Sequence, residues 1–255
     1  MQTVATIGRQ NRPLDLSGII PDAEWPPNRA ALESVRAHGL RFALGGGLAF
    51  SAYSGRWRNT KDTDLFVLPE DRERARLALE EAGFTDYYAQ EAYDRTWIYR
   101  GFRDGVIIDI IWTMPSHRMV VDETWLTCGQ EVTLNGIVLR LLPPEALIWA
   151  KLYVLQHDRT DWPDLLNILY AQAPKLDWAR VLRQLGEDAL LLGGLLNVFR
   201  WLCPGQAQTV PDWVWESVGL CPTPPAASNA PDGARNHLLD TRDWFGPSLG
   251  RKERC

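Results

Sequence analysis

An α+β fold, close to α/β in its order of elements, is what this sequence predicts: a small mixed β-sheet flanked by helices, then a mainly helical C-terminal subdomain. Three observations carry that reading. In the first half, short β-rich runs at 40–44, 65–68, 96–99 and 106–112 alternate with stretches of helical apolar spacing. Two further β-rich runs flank Asn135-Gly136, a strong hairpin signal. From Trp162 to Leu202 the pattern is helical almost throughout.

Taken in order, residues 1–27 are rich in Pro, Asp and Gly and read as an arm over the surface. Asn28 is placed to cap a helix in which Ala31, Leu32, Val35 and His38 share a face, with Gly39 at its end. The strand Leu40–Leu44 stops at Gly45-Gly46-Gly47, a short helix follows over 48–54, and 55–61 is a polar loop. Pro69 ends the next strand, and a charged helix over 70–82 closes at Gly83. Arg103-Asp104-Gly105 joins strands 96–99 and 106–112 as a hairpin. Beyond the 132–139 hairpin, Pro143-Pro144-Glu145 opens a helix expected to run to about His157. Helices over 162–170, 177–185 (capped by Asp177) and 188–202 complete the series. The expected organisation is an arm (1–27), a sheet-containing core (28–142), a helical subdomain (143–204) and a Pro/Trp-rich tail (205–255). The tail reads as extended or partly disordered, with Trp213, Trp215, Trp244 and Phe245 as candidate anchors.

A chain of 255 residues with 45% hydrophobic and 23% charged residues buries a full core. Its net charge of −5 argues against a protein that coats nucleic acid electrostatically. Cys128, Cys203, Cys221 and Cys255 are scattered singly, without zinc-ligand spacing or a disulfide framework, which fits reduced thiols in a cytoplasm. The N-terminus lacks a secretory pattern, and the longest apolar stretch, 189–199, is interrupted by Gly193, Gly194 and Asn197, so no membrane partner is expected.

The chemistry concentrates in Arg58-Asn59-Thr60-Lys61-Asp62-Thr63-Asp64. Asp62 and Asp64 stand at i and i+2 at the start of a strand, so both face one side and repel unless a cation lies between them. Magnesium, with its preference for hard oxygen ligands, is the natural choice. The pair alone also fits a charged turn. Upstream, the glycines leave backbone N–H groups uncovered at a helix start, where a phosphate can approach closely; alone they also fit a tight turn. Downstream, Asp109 lies inside the apolar run 106–112 and needs a partner there: an arginine such as Arg58 or Arg95, or, if its strand lies beside 64–68, cations shared with Asp62 and Asp64.

Together these residues resemble a known family. GGGLAFSAYSGRWRNTKDTDLFV is similar to the signature of the nucleotidyltransferase superfamily related to DNA polymerase beta, and most of all to its AbiE-type branch. The pattern falls on Gly46, Gly47 and Ala49, then Arg58, Thr60, Asp62 and Asp64, with Asp109 as the third acid and Lys151, Asp161, Asp164 and Leu165 further on. The resemblance covers roughly residues 30–170. It implies a nucleotidyltransferase core that binds a nucleoside triphosphate (NTP) and two Mg2+ ions and moves a nucleoside monophosphate to a hydroxyl of RNA, protein or a small molecule. Under it, Asp62, Asp64 and Asp109 are the catalytic and metal-binding residues. Gly46, Gly47, Arg58 and Lys151 are the nucleotide- and phosphate-binding ones, and Asp161 and Asp164 brace the subdomain junction. A cognate antitoxin or a second copy of the chain are the protein partners implied, and a weakly active or inactive nucleotide-binding partner module is the alternative. One departure stands out: the phosphate turn is Gly-Gly rather than Gly-Ser, so its hydroxyl is missing unless Ser51 or Ser54 replaces it.

Overall fold

The computed structural model describes residues 13–58, 60, 62–226 and 228–246. The first twelve residues of the expected arm, Lys61 and the end of the tail with Cys255 lie outside the described residues. The core is a five-stranded sheet of order β2-β3-β6-β5-β4, formed by β2 (Ala43–Leu44), β3 (Asp62–Phe66), β6 (Val106–Ile111), β5 (Ile98–Arg103) and β4 (Thr85–Asp86). β3 and β6 run parallel and the other pairs antiparallel, so the sheet is mixed as the sequence predicts. A smaller sheet joins β1 (Leu14–Asp15) to the hairpin β7 (Glu131–Leu134) and β8 (Ile137–Arg140). Asn135 and Gly136 turn that hairpin with φ of 45° and 83°, the left-handed pair a tight two-residue turn requires.

Strand alternation sorts β3 into two faces. Leu65 and Val67 pack into the main core, beneath α1 (Trp25–Ala37) and α3 (Arg72–Glu81). Thr63 points the same way and donates its hydroxyl to Asn28 Oδ1 at 2.7 Å. Asn28 is therefore not the helix cap that its position suggests. The helix starts three residues earlier at Trp25-Pro26-Pro27, and Asn28 is buried, its Nδ2 donating to the Glu24 carbonyl at 2.8 Å. The opposite face carries Asp62, Asp64 and Phe66. It is overlain by α2 (Gly46–Ser54) and α5 (Pro144–Leu152), and Phe66 stacks on Trp125 with centroids 5.9 Å apart.

Helix α5 ends at Leu152, five residues short of the expected end; 153–161 is a turn closed by a bridge between Leu155 and Thr160. Helices α6 (Trp162–Gln172), α7 (Trp178–Leu185) and α8 (Ala189–Leu202) follow as the periodicity predicts, and Asp177 caps α7 by accepting from the Arg180 N–H at 2.9 Å. Instead of an extended tail, the chain then forms α9 (Pro204–Ala207), α10 (Asp212–Ser217) and α11 (Gly233–Leu239). Val210, Val214, Trp215 and Val218 are buried in the main core, which is what holds this Pro-rich segment down, whereas Trp213 stays 45% exposed. No helix among the described residues is long and apolar enough to cross a membrane.

Candidate active site

The parallel register of β3 and β6 sets Asp64 opposite Asp109. With Asp62 two residues earlier on the same face, oxygens of the three carboxylates lie within 4.8 Å of one another. Three acids separated by up to 47 residues in the chain thus form one cluster by strand register alone.

The partner of Asp109 is Arg100, not Arg58 or Arg95. Arg100 stands directly across the β5–β6 hairpin; its Nε donates to Asp109 Oδ1 at 2.8 Å and its Nη2 to Oδ2 at 2.7 Å. Arg58 pairs with Asp164, and Arg95 with Asp86 at 2.5 Å. Arg100 was missed because the expected strand ended at Tyr99. The signal was nonetheless present: with Asp104-Gly105 as the turn, Arg103 pairs with Val106, and moving three residues away from the turn on each strand sets Arg100 against Asp109.

The glycine turn fits tightly over the acids. Gly46 has φ +47°, and a Cβ there would lie 1.6 Å from Asp64 Oδ2, so the Asp64 carboxylate rests against the start of α2. A Cβ on Gly45 would lie 2.2 Å from the Phe66 ring, and one on Gly47 2.9 Å from Cβ of Thr60. Among the described residues no side chain caps α2, which leaves the first-turn N–H groups without a partner from the helix itself. Neither Ser51 nor Ser54 supplies a hydroxyl there: both are buried away from the cavity, and the Ser54 hydroxyl donates to the Phe50 carbonyl at 2.7 Å.

Lys151 is buried rather than exposed on its helix. Its Nζ donates to Asp161 Oδ2 at 2.6 Å and Asp164 Oδ2 at 2.7 Å, and Arg159 adds a bond to Asp161 at 3.3 Å. These pairs tie α5, α6 and the Arg58 loop together at the edge of the site. A cavity of about 430 Å³ lies between the sheet face and α5. Gly46, Gly47, Arg58, Thr60, Arg100, Lys151 and the acid cluster line its polar part; Phe66, Trp97, Ile111, Met114, Leu147 and Val154 line the apolar part.

Burial, reinforced by the charges of Asp62 and Asp109, holds the Asp64 carboxyl well above the usual carboxylate range, with Lys151 and Arg100 pulling the other way. Burial also raises Asp109, opposed by its bonds to Arg100, while those bonds raise the Arg100 guanidinium. Hard oxygen donors this close, under mutual repulsion that a bound cation would relieve, are a set that fits a divalent ion such as Mg2+.

The acid cluster, the open helix start and the basic side chains of Arg58, Arg100 and Lys151 share one cavity. A family model described as uncharacterised nucleotidyltransferase matches residues 30–202. The chain belongs to that family of nucleotidyltransferases. No curated protein matches it significantly. Among solved structures it is similar to the antibiotic-resistance factor ANT(2'')-Ia at 19% identity, covering 68% of this chain and 89% of that one, with a TM-score of 0.41. It is also similar to the lincosamide antibiotic adenylyltransferase LnuA at 16% identity, covering 56% and 92%, TM-score 0.40. A third is JHP933 from Helicobacter pylori, at 13% identity, covering 68% and 76%, TM-score 0.36.

Proposed function

We propose that the chain transfers a nucleoside monophosphate from an NTP to a hydroxyl acceptor, with Mg2+, releasing pyrophosphate. The observation that carries this is the clustering of Asp62, Asp64 and Asp109 within 4.8 Å, beside the Gly46-Gly47 turn. Asp62 and Asp64 hold the cation, with Asp109 as the third ligand group. The bound cation supplies neutralisation of phosphate charge and makes the acceptor hydroxyl easier to ionise. The N–H groups of Gly46 and Gly47 receive phosphoryl oxygens, and Arg58 and Lys151 add positive charge at the cavity edge. Asp109 takes the acceptor's proton, oriented for it by Arg100. The acceptor oxygen bonds to the α-phosphorus as the bond from that phosphorus to the β-bridging oxygen breaks, and pyrophosphate departs with that electron pair.

We further propose that residues 28–142 supply the phosphate and metal groups and 143–204 the facing wall, with 1–27 and 205–255 as flanking arm and tail. The Gly46-Gly47-x-Ala49 and Arg58-x-Thr60-x-Asp62-x-Asp64 pattern supports kinship with the AbiE-type branch, hence a cognate antitoxin or a second copy as protein partner. The scattered cysteines support a cytoplasmic setting.

The test is incubation with α-labelled NTPs and Mg2+ over tRNA, protein and small hydroxylated acceptors. Mg2+-dependent pyrophosphate release lost in both Asp62→Ala and Asp64→Ala is the expected result; full activity in both variants would sink the assignment. Tight NTP binding without any turnover would instead make the chain a nucleotide-binding partner module.

A further inference from the structure

The Gly46-Gly47 turn carries no hydroxyl of its own, and the nearby serines point elsewhere. Among the described residues lining the cavity, Thr60 is the only one with a hydroxyl side chain. It stands directly over the turn: a Cβ built on Gly47 would lie 2.9 Å from Thr60 Cβ and 3.0 Å from its Oγ1. The Thr60 hydroxyl therefore occupies the space into which a side chain at position 47 would project. Gly47 and Thr60 exclude each other's alternatives, because any residue larger than glycine at 47 meets Thr60.

The same hydroxyl lies 2.8 Å from both the Asp62 carbonyl and Asp62 Oδ1. A hydroxyl has one proton and rotates freely about its C–O bond, so it can serve only one of these acceptors at a time. It can equally turn that proton to a phosphoryl oxygen resting on the first-turn N–H groups of α2.

We propose that Thr60 is a phosphate-binding residue that supplies across the cleft the hydroxyl the glycine turn lacks. In the free chain its proton rests on Asp62, and when the NTP binds beside Gly47 that proton turns from Asp62 to the phosphoryl oxygen. The inference rests on the nucleotide-binding reading of this site. The substrate class it addresses is the polyphosphate of the donor, not the base or the acceptor.

The test measures binding of a non-hydrolysable NTP analogue with Mg2+ to the full chain by calorimetry, with thermal melts to confirm folding. Thr60→Val keeps the shape and removes the hydroxyl, and weakens binding about tenfold, the scale of one hydrogen bond to a charged group; Thr60→Ser stays within about twofold of wild type. Binding of the corresponding nucleoside, which has no phosphate, is equal in all three proteins. Gly47→Ser alone binds weakly through its clash with Thr60. The double variant Gly47→Ser/Thr60→Ala moves the hydroxyl to the other side of the cleft and recovers most of the affinity. Wild-type affinity in Thr60→Val, or a double variant no better than Gly47→Ser, overturns the assignment of Thr60 and leaves the nucleotidyl-transfer reading intact. Failure of the wild-type chain to bind the analogue at all overturns that reading, and this one with it.

Discussion

The sheet face and the α5–α6 junction both gather acids around the same cavity, yet they do so by opposite means. On the sheet face, Asp62, Asp64 and Asp109 are set side by side by strand register, and among the described residues only Asp109 is ion-paired with a basic side chain, Arg100. At the junction, Asp161 and Asp164 are each matched by basic groups, with Lys151 shared between them and Arg58 and Arg159 at the flanks. Under the proposed function, the unpaired acids hold repulsion that a cation would relieve, whereas the paired ones at the junction neutralise one another.

The sharpest break between them follows from removing the central acid. Asp64→Asn is expected to lower nucleotidyl transfer by about 10³-fold, in the range seen when a preorganised electrostatic group is lost. In metal-free protein it leaves the melting temperature unchanged or higher, because it removes a like charge rather than a partner. An activity assay paired with melts in a chelator checks both halves. A large loss of stability would show that Asp64 is structural and would erase the contrast.

Lys151→Met tests the other side. It strands the buried Asp161 and the half-buried Asp164, and breaking a buried pair on one side costs about 3–5 kcal/mol. The remaining Arg58 and Arg159 contacts place the expected loss near the lower end of that range, measured by urea unfolding. A smaller effect is expected from Gly46→Ala, since a non-glycine residue at positive φ costs on the order of 1–3 kcal/mol. Its added methyl also meets Asp64 Oδ2, so cation binding, followed by Mn2+ titration, should weaken together with stability.

How much of this contrast the sequence made legible differs between the two regions. Asp62, Asp64 and the glycine turn are local in the chain, and the alternation of β3 places both acids on one face without any tertiary knowledge. Asp109 was legible because an acid inside 106–112 has to be accounted for. Arg100 was lost to a strand end placed four residues early, since Gly101 interrupts the β-rich run that actually reaches Arg103. The short β1 and the helices α9 to α11 carry too few residues to show a period, and tertiary burial of residues such as Trp215 decides them. At the junction, the bracing of Asp161 and Asp164 came from the resemblance alone. The burial of Lys151 was not, because the turn that ends α5 at Leu152 brings Asp161 back over it, and only the folded chain shows that return.

The smallest expected effect is also the one that separates the regions by sign. At Asp161 burial alone would raise the carboxyl, but the charges and hydrogen bonds of Lys151 and Arg159 outweigh it and hold the group below its ordinary value. A carboxyl depressed in the folded state contributes stability that is present above the unfolded value, about 3.9, and is lost as pH falls through the folded one. Asp64 is raised, so between about pH 3.9 and its folded value the native chain holds the extra proton, and stability declines as pH rises through that window. Urea unfolding in a chelator across pH 3–8 should therefore show Asp161→Asn losing the acid-side rise and Asp64→Asn losing the decline above it. Adding Mg2+ at the upper end should restore stability to wild type and not to Asp64→Asn. If both variants instead flattened the same limb of the profile, the two clusters would be one electrostatic unit, and the division between paired and unpaired acids would have to be redrawn around Lys151, whose charge reaches both.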